Sequence, residues 1–528
     1  METKIEAAAF LKVAGFGAAE SDVNALTGRD AARWVSAQLR EAPHNYRATI
    51  AGQFSREEAK TRESNALIWQ NMIDSDAQLR ARAAFALSQI FVISDKDDFN
   101  RGLAIAEWMD VLDRNAFGNY RTLMGEVTTS PIMGKYLTYL YNRKGDARTG
   151  RKPDENYARE ILQLFSIGLF ELNMDGTLKR GADGQPIETY TNEDIVGLAR
   201  VFTGYALAGT SYKWQDRYED AFERPMRMWD DQHSALEKTF LGTTIPENTG
   251  GDASVEQALD AIFAHPNVPP FVARQLIQRF TASSPSPAYV ERVATAFANG
   301  RFRSEDGSNF GTGERGCLQA TIAAILLDET VHDGVRSANE GKLREPVLKF
   351  AQLARTYTKP GFRSLLTGEW SFIGDTSDPL NKLGQNPLRS PSVFNFYRPG
   401  YIAPSTESGE AGLTAPELQI VNASSAVGYL NISEEYINRT DDTWDRVLVP
   451  DFSEEIGLSD DPAALADRLD LKLLSGRMSA ETRTALIETV EALPIRDNTP
   501  DNEQRDRLSR AKLAVFLVIA SPEYQVLD

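Results

Sequence analysis

The chain has 528 residues, 42% of them hydrophobic and 25% charged, which exceeds the usual size of one hydrophobic core and predicts two or three packed sub-domains. Its 57 basic and 75 acidic residues leave a formal charge of -18, so long-range repulsion excludes nucleic acid as an expected partner. Cys317 is the only cysteine, which excludes an intramolecular disulfide, a cysteine zinc site and an iron-sulfur cluster, and it precedes an apolar run as an inert core thiol would.

The first residues, METKIEAAAFLKVAGFG, carry Glu2 and Glu6 and lack the basic and long apolar regions of a classical signal peptide. No later stretch reaches the roughly 20 apolar residues that a membrane span requires. Residues 7–13 and 31–39 repeat apolar side chains at helical spacing. Residues 62–94 read as two amphipathic helices around Asp74-Ser75-Asp76, the second led by Arg80 and Arg82 into a buried position. The block 106–142 continues the period, with boundaries at Gly118, Pro131 and Gly134.

The segment PDENYAREILQLFSIGLFELN predicts a helix with Pro153 in its first turn, acids at Asp154 and Glu155, and an end at Gly168. Asn173-Met174-Asp175-Gly176 and Asp183-Gly184 are turn signals for one or two small hairpins, and this simpler reading is preferred to a calcium loop. A threonine-capped helix follows from Thr191, with Ile195, Leu198, Ala199 and Phe202 on one face. Residues 210–251 read as an irregular excursion, residues 255–302 as helices punctuated by Pro266, Pro269, Pro270, Pro285 and Pro287, and residues 317–327 as a buried helix.

Residues 359–412 are rich in Pro, Gly and Ser yet contain Trp370, Phe372, Phe394, Phe396 and Tyr397, the composition of a long loop packed over a site or a domain joint. Two or three helices close the chain after residue 461, around an acidic segment at 496–506. The resulting expectation is a mainly α fold, a multi-helical orthogonal array with one or two small β-hairpins and long ordered loops. It divides into N-terminal helices (1–60), a helical core (61–350), the aromatic loop region (351–420) and a C-terminal helical region (421–528).

The ordered blocks ARAAFALSQIFVIS, RNAFGNYRTLMGEVTTSPIMGKYL, PDENYAREILQLFSIGLFELNMDG, TNEDIVGLARVFTGY, HPNVPPFVARQLIQRF, GKLREPVL and SPSVFNFYRPGY together resemble the bacterial domain-of-unknown-function family 1800. That resemblance implies a bacterial source, a mainly helical fold, and a periplasmic or extracellular setting. The last follows because relatives often occur beside proteins of family 1501, a sulfatase-like group that is thereby an expected partner. With no signal peptide in view, a cytoplasmic setting stays open.

Several constellations carry chemistry. On PDENYAREILQLF, Glu155 and Arg159 lie four residues apart, as do Asn156 and Glu160. Glu155 and Glu160 then serve as acid/base or metal-ligand carboxylates with Arg159 and Asn156 at the substrate, or the same groups form a buried ion-pair network. Asp194 on the following helix is a further candidate. HPNVPPFVARQLIQRF offers His265 for proton transfer and Arg274, with Arg279 beyond it, for an anion.

Ser390 and Asn395 sit on the aromatic loop as possible pocket residues, without the G-x-S-x-G setting of a hydrolase nucleophile. Phosphate-cradling and dinucleotide fingerprints are absent, so no nucleotide cofactor is expected, and the four histidines lack the E-x-x-H pairs of a di-iron bundle. The expected function is a hydrolase or lyase on a polar polymer such as a glycan, with a non-catalytic partner or surface-assembly protein as the alternative.

Overall fold

A computed structural model describes residues 1–96, 101–332, 341–358, 373–439, 448–496 and 499–527. Trp370 and Phe372 of the expected aromatic loop therefore lie outside the described residues. The protein is mainly helical, at 51% helix, with 24 helices and four two-stranded antiparallel sheets among the described residues. Buried apolar side chains from Ala7 to Leu527 form one connected cluster. At about 1.5–3 kcal/mol for each large aliphatic or aromatic side chain withdrawn from water, this cluster is the main stabilising term. No helix among the described residues is long and apolar enough to cross a membrane.

Helices Thr61–Asp74 and Gln78–Ser88 flank Ser75, whose hydroxyl accepts the Ala77 N–H at 3.0 Å in the turn before the second helix; the expected cap does not form, because Ala77, which has no hydrogen-bonding side chain, itself takes the N-cap position. The same hydroxyl lies 2.7 Å from His44 Nε2, while His44 Nδ1 lies 2.7 Å from Asp113 Oδ1 on helix Gly102–Arg114. This chain of polar contacts fastens the loop before Tyr46 to two helices. Every residue of helix Gln78–Ser88 is buried, including Arg80 and Arg82. Arg80 meets that requirement by donating to the carbonyls of Glu41 and Asp113 and stacking on Phe117.

The helix expected from Pro153 to Gly168 is shorter, Asn156–Gln163. Asp154 Oδ1 accepts the Asn156 N–H at 2.8 Å, which starts the helix late, and the N–H groups of Ile167 and Gly168 both turn back to the Leu162 carbonyl at 3.0 Å. Gly168 has φ +73°, the left-handed conformation that ends helices most cheaply at glycine. Between 169 and 190 the hairpin chemistry is present, but the pairing is reduced to isolated bridges at Phe170–Glu188, Leu172–Leu178 and Arg180–Pro186. Asp175 and Asp183 are spent on these turns, accepting the N–H groups of Thr177 and Gln185.

The regular two-stranded sheets lie elsewhere. They pair Tyr205–Ala206 with Arg227–Met228, Lys238–Phe240 with Thr243–Ile245, Phe302–Arg303 with Asn309–Phe310, and Lys342–Leu343 with Val526–Leu527. Helix Asn192–Val201 begins with the expected capping box at Thr191 and Asp194. It lies so close to strand Lys238–Phe240 that a Cβ on Gly197 would stand 1.8 Å from the Thr239 carbonyl oxygen. Cys317 is buried at the start of helix Leu318–Leu326.

A fully buried ion pair joins distant parts of the chain. Lys342 Nζ donates to Glu417 Oε1 at 2.6 Å and to the Gln278 carbonyl at 2.7 Å, and Ser283 Oγ donates to Glu417 Oε2 at 2.8 Å. Breaking such a pair on one side strands the other charge. Lys342→Met is expected to lose about 3–5 kcal/mol of stability, whereas the double variant Lys342→Met/Glu417→Leu loses clearly less, as measured by urea unfolding.

Candidate functional site

Helix Val268–Phe280 forms one wall of the main cavity, about 550 Å³ in volume. The end of helix Asn156–Gln163, the bridges after Gly168 and the loop 393–402 supply the other walls. The described part of the aromatic loop thus does lie over a cavity, through Val393, Phe394 and residues 398–402. Gln278 holds that loop in place, donating through Nε2 to the Pro399 carbonyl at 2.9 Å. Asn267 holds the opposite wall: its amide donates to the carbonyls of Ile167 and Phe170 at 2.9 and 2.8 Å, and its Oδ1 accepts the Leu172 N–H at 2.9 Å.

The lining combines apolar side chains with Gln89, Gln163, Gln275, Gln278, Arg274, Arg279 and Arg398, and includes no aspartate or glutamate among the described residues. Arg274 is half-buried, with no carboxylate or hydrogen-bond acceptor from the described residues, and burial alone pulls its pKa below the usual arginine value. Arg279 is 1% exposed, its guanidinium lies 4.9 Å from the centre of the Tyr397 ring, and its Nε and Nη1 have no acceptor among the described residues. Arg398 sits over the Phe394 ring at the mouth. Leu169, Phe170, Leu178 and Ile402 line the same mouth and remain exposed, although large apolar side chains favour burial.

Beneath Arg279 lies a buried polar layer. Arg82, also 1% exposed, donates to the Arg279 carbonyl, and its Nε and Nη1 likewise lack acceptors among the described residues. Burial draws the Arg82 pKa down to about 10, against the opposing pull of Glu345. Glu345 Oε2 accepts from Gln89 at 2.7 Å, Gln385 at 2.5 Å and Tyr397 at 2.9 Å. The carboxylate that opposes the desolvation of Arg82 is thus itself shared among three neutral donors.

The residues expected from the sequence are distributed unevenly around this cavity. Arg274 lines it. Glu155 and Arg159 form a half-exposed pair at 3.8 Å on helix Asn156–Gln163, and Asn156 bonds back to Asp154 and reaches Thr138 Oγ1. Glu160 is buried on the same helix, with an Oε2 that no described residue hydrogen-bonds, and burial raises its pKa against the opposing charge of Arg159.

Asp194 is spent structurally: one oxygen accepts from Thr191 and the other from the Leu241 N–H at 2.7 Å. His265 Nδ1 accepts the Asn267 N–H at 3.1 Å, and desolvation lowers its pKa despite nearby Glu171. Ser390 Oγ donates to the Ile93 carbonyl, and Ser390 and Asn395 line a separate, small cavity. Among the described residues no three histidine, cysteine or acidic side chains gather as a metal site.

Glu160 makes the ion-pair account of this helix testable. A carboxyl whose folded pKa exceeds its unfolded value binds more protons in the native state, so stability falls as pH rises through the carboxylate range. Glu160→Gln is expected to match wild type in melting temperature near pH 4 and to exceed it by a few degrees at pH 7–8, read by differential scanning calorimetry.

No curated protein and no solved structure matches the chain. One family model does, the protein of unknown function family DUF1800, over residues 9–526. With that match spanning nearly the whole length, the chain belongs to the DUF1800 family.

Proposed function

We propose that the protein binds an anion carried on an apolar body, with the charged group received by Arg274 and Arg279 and the body held by the apolar walls. The observation that carries this reading is the arginine-bearing lining without an acid, in a chain whose net charge is -18. A guanidinium withdrawn from water costs several kcal/mol unless acceptors replace the lost hydration, so this cavity favours a carboxylate, sulfate or phosphate. Arginine suits the role because its planar fork meets two oxygens at once. The volume falls in the range of small-molecule sites, roughly 300–1,000 Å³, and the exposed apolar mouth provides a surface for the rest of the ligand.

A second reading adds chemistry to the same pocket. Glu160 lies one helical turn before Gln163, and a carboxyl whose pKa burial raises and whose Oε2 has no hydrogen bond from the described residues suits a general acid. Hydrolysis or elimination on a polar polymer such as a glycan then requires ligand to reach Glu160. Glu155 is paired with Arg159, and His265 is engaged with its own loop. An envelope setting and a family-1501 partner belong to both readings as part of the proposal, supported by the family resemblance alone.

Isothermal titration with octanoate, octyl sulfate and phenyl phosphate, against neutral octyl glucoside, tests the binding reading. The anions are expected to bind and the neutral glucoside not to. Arg274→Gln is expected to weaken anion binding at least ten-fold, in line with about 1.5–3 kcal/mol for a hydrogen bond to a charged group. Equal affinity for octyl glucoside, or no effect of Arg274→Gln, overturns it.

A further inference from the structure

A second site, away from the main cavity, stands on the loop that precedes helix Asn156–Gln163. Ten residues from Arg143 to Lys152 hold five cations, Arg143, Lys144, Arg148, Arg151 and Lys152, against the single acid Asp146. Asp146 is consumed locally: its Oδ1 accepts the Arg148 N–H at 2.9 Å, and this bond with that of Thr149 holds its pKa low. Asp154, at the loop's far end, is consumed in the same way by Thr138 Oγ1 and the Asn156 N–H. None of the five cations has a carboxylate within 4.0 Å among the described residues, although acids outnumber bases in the chain as a whole.

The loop is held in shape by its backbone. Asp146 and Arg151 form a bridge, with the Asp146 N–H donating to the Arg151 carbonyl at 3.0 Å, and Arg151 Nε donates to the Lys144 carbonyl at 3.0 Å. Beside it opens a cavity of about 510 Å³, lined by Thr138, Tyr141, Asn142, Arg143, Arg151, Lys152 and the already engaged Asp154. Thr138 and Tyr141 both adopt positive φ, 63° and 66°, a costly conformation for residues other than glycine.

Aromatic rings continue the surface. Tyr141 packs edge-on to Tyr212 at 5.3 Å and lies 6.0 Å from Trp214, which is 45% exposed. The Arg143 guanidinium lies 5.3 Å from the Tyr212 ring centre, and that of Arg217 lies 4.5 Å from the Trp214 ring centre.

We infer that this cation-and-aromatic surface binds an acidic polysaccharide, one bearing carboxylate or sulfate groups between neutral sugar faces. Arginine and lysine side chains with no carboxylate partner among the described residues meet the anionic groups, and the exposed Trp214 ring, with the half-buried Tyr141 beside it, covers the apolar C–H faces of the sugar rings. Single-stranded nucleic acid also uses cations and aromatic rings, but it needs a continuous cationic track along its phosphates. Here Asp216, Glu219 and Asp220 interrupt the track beside Trp214, and the net charge of -18 opposes a dense polyanion at long range. A polymer whose charged groups are set apart by the apolar faces of its sugar rings fits the interrupted pattern.

The test is biolayer interferometry of the full chain on immobilised polygalacturonate, chondroitin sulfate, neutral dextran and oligo-dT. Binding is expected on the acidic polysaccharides alone and should weaken as salt rises. Lys152→Gln, a side chain with no hydrogen bond or ion pair inside the described structure, is expected to reduce it at least three-fold. The double variant Arg143→Gln/Lys152→Gln is expected to reduce it at least ten-fold, and Trp214→Ala at least three-fold, with melting temperatures unchanged for Lys152→Gln and Trp214→Ala. Absence of binding to either acidic polysaccharide, equal binding to dextran, tighter binding to oligo-dT, or acidic-polysaccharide binding that survives Lys152→Gln and Trp214→Ala overturns the inference.

Discussion

The buried contact between Lys342 and Glu417 is the constraint on which the geometry of the main cavity depends. Neither side chain is exposed, so each charge is tolerable only while the other is in place. The lysine also satisfies the Gln278 carbonyl, the glutamate takes the Ser283 hydroxyl, and the Gln278 amide reaches on to Pro399. Helix Val268–Phe280, the short strand that pairs with the C-terminus, and the loop over the cavity therefore share one node. Because helix Val268–Phe280 carries Arg274 and Arg279, the same node sets the distance between the arginines and the loop that covers them.

Electrostatics in this protein is a matter of contrast. The chain is acidic overall, yet the main cavity is lined by arginines with no acid among the described residues, and in the loop 143–152 the cations have no carboxylate within 4.0 Å because Asp146 and Asp154 are engaged by neighbouring donors. Positive concavities in a negative surrounding favour anionic ligands at those two places and disfavour diffuse attachment elsewhere. Arginine dominates the buried set. Arg80, Arg82 and Arg279 each lie over an aromatic ring, a use of the guanidinium plane that a lysine ammonium would serve poorly because it is more strongly hydrated. Glu345 only partly offsets the cost of burying Arg82, and the guanidinium nitrogens of Arg279 that find no acceptor among the described residues leave the floor of the cavity receptive to an anion.

Local signals in the sequence identified much of the framework. Thr191 and Asp194 close the expected capping box, and the buried helix at 318–326 follows its apolar run. Where the reading failed, a local competitor had intervened. Asp154 delayed the helix expected from Pro153, and two Asp-Gly turns split the hairpin region into single bridges too short to form ladders. Of the candidate residues named from the sequence, Arg274 lines the main cavity, as does the described part of the aromatic loop. Asp194 and Ser390 are engaged by Leu241 and Ile93, partners that spacing along the chain does not reveal. The basic run at 143–152 is plain in the sequence, but its importance rests on the absence of ion-pair partners, which is a property of the folded surface.

By itself, the sequence determined helix periodicity, caps, turn chemistry, the lone thiol and the acidic balance, because each depends on residues within a few positions or on composition alone. Only the tertiary structure decided which charges are paired and which are left open to a ligand. Lys342 with Glu417, Gln278 with Pro399 and Asn267 with Phe170 are separated by 75, 121 and 97 residues. The cost of a buried polar atom is settled by whatever group the fold brings within about 3 Å of it, and no local pattern encodes that neighbour.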